Sequence, residues 1–468
     1  MNKKITCLLI GAMVTGMCFA PINAYASNDR VTRIGGTDRH ETSIEIADKF
    51  IGDEKIDSVI LIEGDDYPDS LTGSILSKKY NAPIISLRYS PKNSVKQIEF
   101  IKTHLKTDGT IYLLGGEKLL TNSYVDEFNK LGYKNIERIS GNDRFETNKK
   151  IVEEVNVEEG TPVIIASSEK FADALSMSSI SGAKQYPILL TEKYILSPSA
   201  REQIEKIKPK EVFITGGVEA ISDEVQNEIE YMITNTEGSK VVRLAGKDRY
   251  ETSMEVLNHF KEGLNGENIF VTGGKSFSNA LLGASLASKT ESPILLSESQ
   301  SIVDSKPELD NYKSVNIIGG KFSVEVFTEQ RLNNEKEFSF KATSFYEENG
   351  KKYMTGTFNK LSKDTEEVEE YCNFYKLESH VIYEKDREAW IPDCGQDIPM
   401  STPVKVEISD DVEIKVIEDE KISPDNLLGT NPITFDELKT RTNWTGHPLF
   451  QVEFENNKIS KITQDYRP

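Results

Sequence analysis

The stretch RIGGTDRHETSIEIA begins at Arg33, RISGNDRFETNKKIV at Arg138 and RLAGKDRYETSMEVL at Arg243, with 105 residues from each start to the next. A fixed period of that length marks copies of one structural unit. Outward from the motif, each copy continues with an apolar run, a helical stretch and a second apolar run. These are VILIEGDDYPDSLTGSILSKKYNAPIISL from Val59, VIIASSEKFADALSMSSISGAKQYPILLT from Val163 and IFVTGGKSFSNALLGASLASKTESPILLS from Ile269. A further run ends each copy at a glycine pair: IYLLGG from Ile111, VFITGG from Val212 and VNIIGG from Val315. The runs are short, continuous and rich in Val, Ile and Leu, as strands buried on both faces of a parallel sheet are. Helical stretches such as SVKQIEFIKTHL from Ser94 alternate with them, so each copy is predicted to be an α/β unit with its own core.

Within the motif, Asp38, Asp143 and Asp248 stand one residue before a helical pattern, and Glu41, Glu146 and Glu251 follow three residues later. This is the spacing of a capping box, with Asp as the N-cap. Arg39, Arg144 and Arg249 oppose the helix dipole where they stand. They are therefore either tied to a local carboxylate or presented to an anion. The glycine pairs are read as strand-to-helix turns or as backbone cradles for a phosphate. Tyr67 with Asp69, Phe171 with Asp173 and Phe277 with Asn279 form a third recurring element. Its carboxylate becomes an amide in the third copy, which points to a cap or a hydrogen-bonding core residue rather than acid–base chemistry.

The N-terminus reads as a secretory signal. Lys3 and Lys4 precede an apolar segment, and Ala24-Tyr25-Ala26 is an A-x-A cleavage site, so the mature chain is expected to start near Ser27. No later segment has the roughly 20 apolar residues of a membrane span. The net charge is −20, and residues 27–334 alone hold 48 Asp and Glu against 37 Lys and Arg. That balance argues against nucleic acid and against a polybasic membrane patch. No dinucleotide fingerprint or P-loop lysine occurs, so no cofactor is expected. Cys7 and Cys18 leave with the signal. Cys372 and Cys394 remain, either as a disulfide or as two unpaired thiols. With His380 and His447 they lack recognisable zinc spacing, and no metal is expected.

After Asn334 the pattern changes to alternation. Hairpins are predicted around Asn349-Gly350 and Asn456-Asn457, a strand in PVKVEISDDVEIKVIEDE from Pro403, and a short helix in TFDELKTR from Thr434. The region reads as a small antiparallel β-barrel or sandwich.

Between Val31 and Leu332 the repeated R-x-x-G-x-D-R-x-E-T, the [D/N]-x-L element and the P-I-L-L run together resemble the type 2 cell-wall-binding repeat. That repeat occurs as three tandem copies in surface-layer-associated wall proteins of Gram-positive, especially clostridial, bacteria. The resemblance implies Rossmann- or Toprim-like modules packed about a pseudo-threefold axis. It also implies non-covalent attachment to an anionic cell-wall polysaccharide, in the wall or surface layer, with surface-layer proteins as further candidate partners. It ties anchoring to the Ile-Leu-Leu element, here Ile188-Leu189-Leu190 and Ile294-Leu295-Leu296. The first copy departs, with Ile84-Ile85-Ser86. Read from its own residues, that element is a buried strand. Polar residues and arginines at strand ends and module seams are the better candidates for touching the polymer, as ligands sit beyond the carboxyl ends of strands in open α/β sheets.

The expected organisation is a signal at 1–26, repeats at 27–136, 137–241 and 242–334, and a β-rich domain at 335–468. The expected function is a non-enzymatic wall-anchored protein displaying a C-terminal binding or adhesion module. The alternatives are a cell-wall hydrolase with its catalytic site in the C-terminal domain, and a purely structural surface-layer component.

Overall fold

Each copy builds a four-stranded parallel sheet, but the fourth strand of every sheet comes from the copy that follows. The computed structural model describes all residues except 1–29, 65–70, 235, 276, 363, 365, 366, 369, 371–395, 418–429, 441–448 and 465–468. Tyr67, Asp69, Cys372, Cys394, His380 and His447 lie outside the described residues.

The first sheet holds β2 (Ile56–Glu63), β3 (Ile84–Leu87), β4 (Leu105–Leu114) and β5 (Asn135–Ile139), in the order β3-β2-β4-β5. The second holds β6 (Val163–Ser167), β7 (Ile188–Thr191), β8 (Glu211–Thr215) and β9 (Lys240–Leu244), in the order β7-β6-β8-β9. The third holds β10 (Asn268–Gly273), β11 (Ile294–Ser297) and β12 (Ser314–Ile318). Its missing strand is β1 (Val31–Ile34), and the order is β1-β12-β10-β11. The sequence period and the sheets are thus out of phase. The boundaries at 136/137 and 241/242 fall inside β5 and β9, each of which pairs with the module before it. The chain closes into a ring when β1 pairs in parallel with β12, Val31 opposite Val315.

The helix after each opening motif, α1 (Arg39–Ile51), α5 (Arg144–Val155) and α9 (Arg249–Phe260), covers the edge strand of its own module. The helices α2 (Gly73–Tyr80), α6 (Met177–Lys184) and α10 (Phe277–Lys289) pack on one another at the centre. Small residues let them meet. The Ser74 hydroxyl donates to the Ser178 carbonyl at 2.6 Å, and Ser288 donates to the Ser179 carbonyl at 3.2 Å. The outer helices are α3 (Val95–His104), α4 (Asn122–Lys130), α7 (Pro198–Ile207), α8 (Asp223–Ile233), α11 (Ser299–Leu309) and α12 (Val326–Leu332). Among the described residues no helix is long and apolar enough to cross a membrane.

The C-terminal part is a closed barrel. It is formed by β13 (Glu337–Glu348), β14 (Lys351–Ser362), β16 (Val404–Ile417), β18 (Leu449–Glu455) and β19 (Lys458–Gln464), with β15 (Gln396–Pro399), β17 (Thr430–Pro432) and α13 (Phe435–Thr440) attached. The β14–β16 pairing closes it. One pairing, β16 with β19, is parallel, so the expected all-antiparallel arrangement is corrected there. Asn349, Gly350, Asn456 and Asn457 all have positive φ, which the tight hairpin turns require. Phe327 of α12 stacks on Phe358 with ring centroids 4.0 Å apart and meets Phe338 edge-on at 5.5 Å, so the barrel and the third module share one core.

Candidate functional site

The repeated polar residues gather at the carboxyl ends of the parallel strands, at three seams where one module's opening motif meets the module before it. Asp38, Asp143 and Asp248 each accept the N–H of the glutamate three residues on, at 2.9, 2.8 and 2.9 Å. The glutamates reach one residue further back than a capping box. Glu41, Glu146 and Glu251 accept from the N–H of Thr37, Asn142 and Lys247 instead of the N-cap amide. Glu41 is held down to about 2, first by its hydrogen bond from Lys96 and then by Thr37. Burial pushes the Asp38 carboxyl up, but the Glu41 amide and Arg88 outweigh it and the net shift is downward.

Arg39, Arg144 and Arg249 donate to backbone carbonyls, those of Gly64, Ser168 and Gly274, at 3.1, 2.8 and 2.6 Å. One partner of each arginine is therefore a carbonyl just past the end of β2, β6 or β10.

Two groups of residues went unremarked in the sequence. The first arginine of each motif grips the glycine turn of the preceding module. Arg33, Arg138 and Arg243 donate to the carbonyls of Gly319, Gly115 and Gly216 at 2.8, 2.9 and 2.9 Å. The residue after E-T satisfies the edge strand. Ser43, Asn148 and Ser253 accept from the N–H of Ser86, Leu190 and Leu296 at 3.1, 3.1 and 2.9 Å. Their recurrence at the same period was the available signal.

The glycines of those turns, Gly115, Gly216 and Gly319, have φ of 109, 101 and 116. Against them lie the [D/N]-x-L side chains. A Cβ on Gly216 would come within 2.8 Å of Asp173, and one on Gly319 within 2.5 Å of Asn279. Burial raises the Asp173 carboxyl, against the lowering pull of Thr252 and Arg249. Asn279 is buried at the same place, so in the second and third copies this element packs against the glycine turn. At the seam between the third and first modules these parts surround a cavity of about 570 Å³, lined by Thr37, Asp38, Arg39, Asn279 and Lys321 among others. Glu370 pairs with Lys321 there at 2.6 Å.

Ile84, Ile85, Ile188, Leu189, Leu190, Ile294, Leu295 and Leu296 are all 0–1% exposed. They fill the core under α1, α5 and α9, and a polymer on the surface cannot touch them. The departure at Ser86 has a cause. His40 stands where the other copies have Phe145 and Tyr250, and its Nδ1 lies 2.9 Å from the Ser86 hydroxyl. Burial holds the His40 imidazole below its ordinary 6.5, with Arg88 and Arg39 adding to the shift and the Ser86 carbonyl and Asp38 opposing it. The unfolded chain therefore takes up the proton first. The stability of the neutral native form is complete above about pH 6.5 and falls as the pH drops toward the folded-state value. Thermal midpoints taken between pH 7.5 and 5 are expected to fall more steeply for the wild type than for a His40→Phe, Ser86→Leu double variant. Equal slopes would remove His40 as the cause.

Among the described residues no three His, Cys, Asp or Glu side chains come together as metal ligands do. The family model for cell wall binding domain 2 (CWB2) matches residues 33–125, 138–226 and 243–327. Among curated proteins, the chain is 29% identical over 307 residues to the amidase enhancer of Bacillus subtilis (strain 168), covering 65% of this chain and 40% of that one. It is 23% identical over 330 residues to N-acetylmuramoyl-L-alanine amidase LytC of the same organism, covering 69% and 62%. The matches thus span less than two thirds of either relative. Among solved structures, Cwp8 from Clostridium difficile aligns with a TM-score of 0.56 and 26% identity over 65% of this chain and 52% of that one. Cwp6 from the same species gives 0.55 and 24% over 62% and 46%.

Proposed function

Because the chain belongs to the cell wall binding domain 2 family, and so is a cell-wall-associated protein, we propose that its three modules hold it non-covalently on an anionic polysaccharide of a Gram-positive wall. The secreted chain displays its barrel there as a binding or interaction module without catalysis of its own. The observation that carries this is the threefold recurrence of Arg39, Arg144 and Arg249 at strand carboxyl ends beside the seams. A chain with a net charge of −20 needs local cations to hold an anionic polymer, and an arginine fork suits phosphate or carboxylate. Three linked weak sites give avidity without one tight site. The likeness to the amidase enhancer fits an adaptor role for the chain.

The test is sedimentation of the mature full-length chain with purified walls, before and after their phosphate-linked polymers are stripped. Binding is expected to disappear on stripping. Replacing all three arginines with Gln is expected to weaken binding at least about tenfold, since a hydrogen bond to a charged group is worth roughly 1.5–3 kcal/mol. A folded triple variant that binds as the wild type does would sink the assignment of these residues. The relation to LytC favours the second reading, a hydrolase. Release of soluble fragments from purified peptidoglycan by the chain alone would establish it.

A further inference from the structure

The loop leaving each edge strand differs among the three modules in a way that the packing does not require. In the first module it runs over residues 88–94 between β3 and α3, and in the second over residues 192–197 between β7 and α7. Each carries a tyrosine turned to solvent. Tyr89 is 71% exposed and Tyr194 is 65% exposed, with Ile195 beside it at 60%. A single exposed aromatic needs no explanation, but the same kind of residue in the same loop of two copies does.

The backbone under both rings is fixed. The Arg88 N–H donates to the Ser94 hydroxyl at 2.9 Å, and the Tyr124 hydroxyl donates to the Arg88 carbonyl at 2.6 Å. In the second module the Thr191 hydroxyl donates to the Ile195 carbonyl at 2.9 Å, and the Ser222 N–H donates to the Lys193 carbonyl at 2.9 Å. A rigid loop that presents an unpacked ring loses little further entropy on binding. Both rings also adjoin charged groups of the seam region. Arg88 pairs with Asp38, the N-cap of α1. Lys193 lies 4.8 Å from the centre of the Tyr194 ring and pairs with Glu219 at 2.8 Å.

In the third module the loop shrinks to Glu298 alone, and the barrel meets that end instead. Gln300 of α11 accepts from the Lys405 N–H at 2.7 Å and donates to its carbonyl at 3.2 Å, while Glu325 accepts from the Thr402 N–H at 3.0 Å. The position that is open in two copies is taken by the protein's own C-terminal domain in the third.

We propose that Tyr89 and Tyr194 are stacking faces for pyranose rings of the wall glycan, so that two modules read the polymer with an aromatic platform while the third carries the barrel in that place. This rests on the wall-polysaccharide reading above. The electron-rich face of a tyrosine suits the C–H-lined face of a sugar ring. The basic side chains nearby, Arg88 and Lys193, suit the charges that such a polymer carries. Two platforms on one rigid ring act as linked weak sites.

The experiment is sedimentation of the mature full-length chain with purified walls, comparing wild type, Tyr89→Ala, Tyr194→Ala, the double Ala variant, the double Phe variant and Tyr231→Ala. Tyr231 of α8 is 82% exposed but lies away from the strand ends, and serves as the control. Each single Ala change is expected to raise the half-saturating wall concentration about threefold and the pair about tenfold. The Phe pair, which keeps both ring faces, is expected to stay within about twofold, and Tyr231→Ala to change nothing. A double Ala variant that binds as the wild type does, or a Phe pair that loses as much as the Ala pair, overturns the proposal. If the wild type itself fails to bind walls, both this proposal and the anchoring reading fall. If the triple arginine variant loses binding while the double Ala variant keeps it, only the stacking falls.

Discussion

Deleting residues 27–34 is expected to lower the thermal midpoint by more than about 10 °C, with loss of the third module's ordered core. β12 lies between β1 and β10, so without β1 it becomes an edge with a row of unpaired polar groups. The ladder bonds lost include Val315 N–H to the Arg30 carbonyl at 2.7 Å and Gly319 N–H to the Ile34 carbonyl at 2.9 Å. Arg30 also donates to the carbonyls of Tyr312 and Leu332, at 3.0 and 2.9 Å. Arg33 donates to the Gly319 carbonyl and pairs with Glu329 at 2.9 Å. Ile34, 5% exposed, leaves a hole in the core. At about 1 kcal/mol for each ordinary hydrogen bond and more for the charged ones, the sum approaches the 5–15 kcal/mol that holds a whole domain folded. Arg33→Ala alone removes only part of this and is expected to shift the midpoint less. Scanning calorimetry reads both. A deletion variant melting within a few degrees of the wild type would show that the ring does not depend on this strand.

Gly182→Val is expected to destabilise the protein by about 3 kcal/mol or more through the centre of the ring. A Cβ at this position of α6 would stand 2.0 Å from the Ser288 hydroxyl oxygen, 2.5 Å from its Cβ and 2.9 Å from the Ser74 carbonyl oxygen. Only the hydroxyl oxygen could rotate away; the Ser288 Cβ and the Ser74 carbonyl are fixed on the backbones of α10 and α2. The three central helices would have to separate, breaking the Ser74–Ser178 and Ser288–Ser179 hydrogen bonds. Gly266→Ala has nothing within 4 Å and is expected to leave stability nearly unchanged. Denaturant midpoints of the two variants give the comparison, and similar values for both would contradict the close approach of the helices.

The period, the α/β character of the copies and the two hairpins were legible because each depends on local pattern. So was the burial of Ile-Leu-Leu, since a continuous apolar run beside a helical stretch has nowhere else to go. The phase of the modules was not legible. Nothing in Val31–Ile34 says that its partner is Val315 and not a strand of its own copy, because strand pairing is decided by the geometry of the assembled ring. For the same reason Arg33, Arg138 and Arg243 looked like motif letters without a task until their carbonyl partners in the preceding module were in view. The substitution of Ser86 was unreadable without His40, which is 46 residues away in sequence and in contact across the core. The barrel was ambiguous with a sandwich because alternation marks faces and not closure, which here comes from the β14–β16 pairing.

Synthesis begins at the N-terminus, so β1 is the first of the described strands to emerge, yet its partner in the ladder lies 284 positions later, Val31 against Val315. Two sheets contain only strands that appear within one stretch of chain, and each can assemble as it emerges. The third must wait for its oldest strand to return to its youngest. Contacts that distant form slowly, and until they form the outer edge of β12 is open to pairing with another chain. Closure of the ring is therefore the step of module assembly that waits longest, and a chain halted before Ser314 would hold two finished sheets and a β1 with no partner.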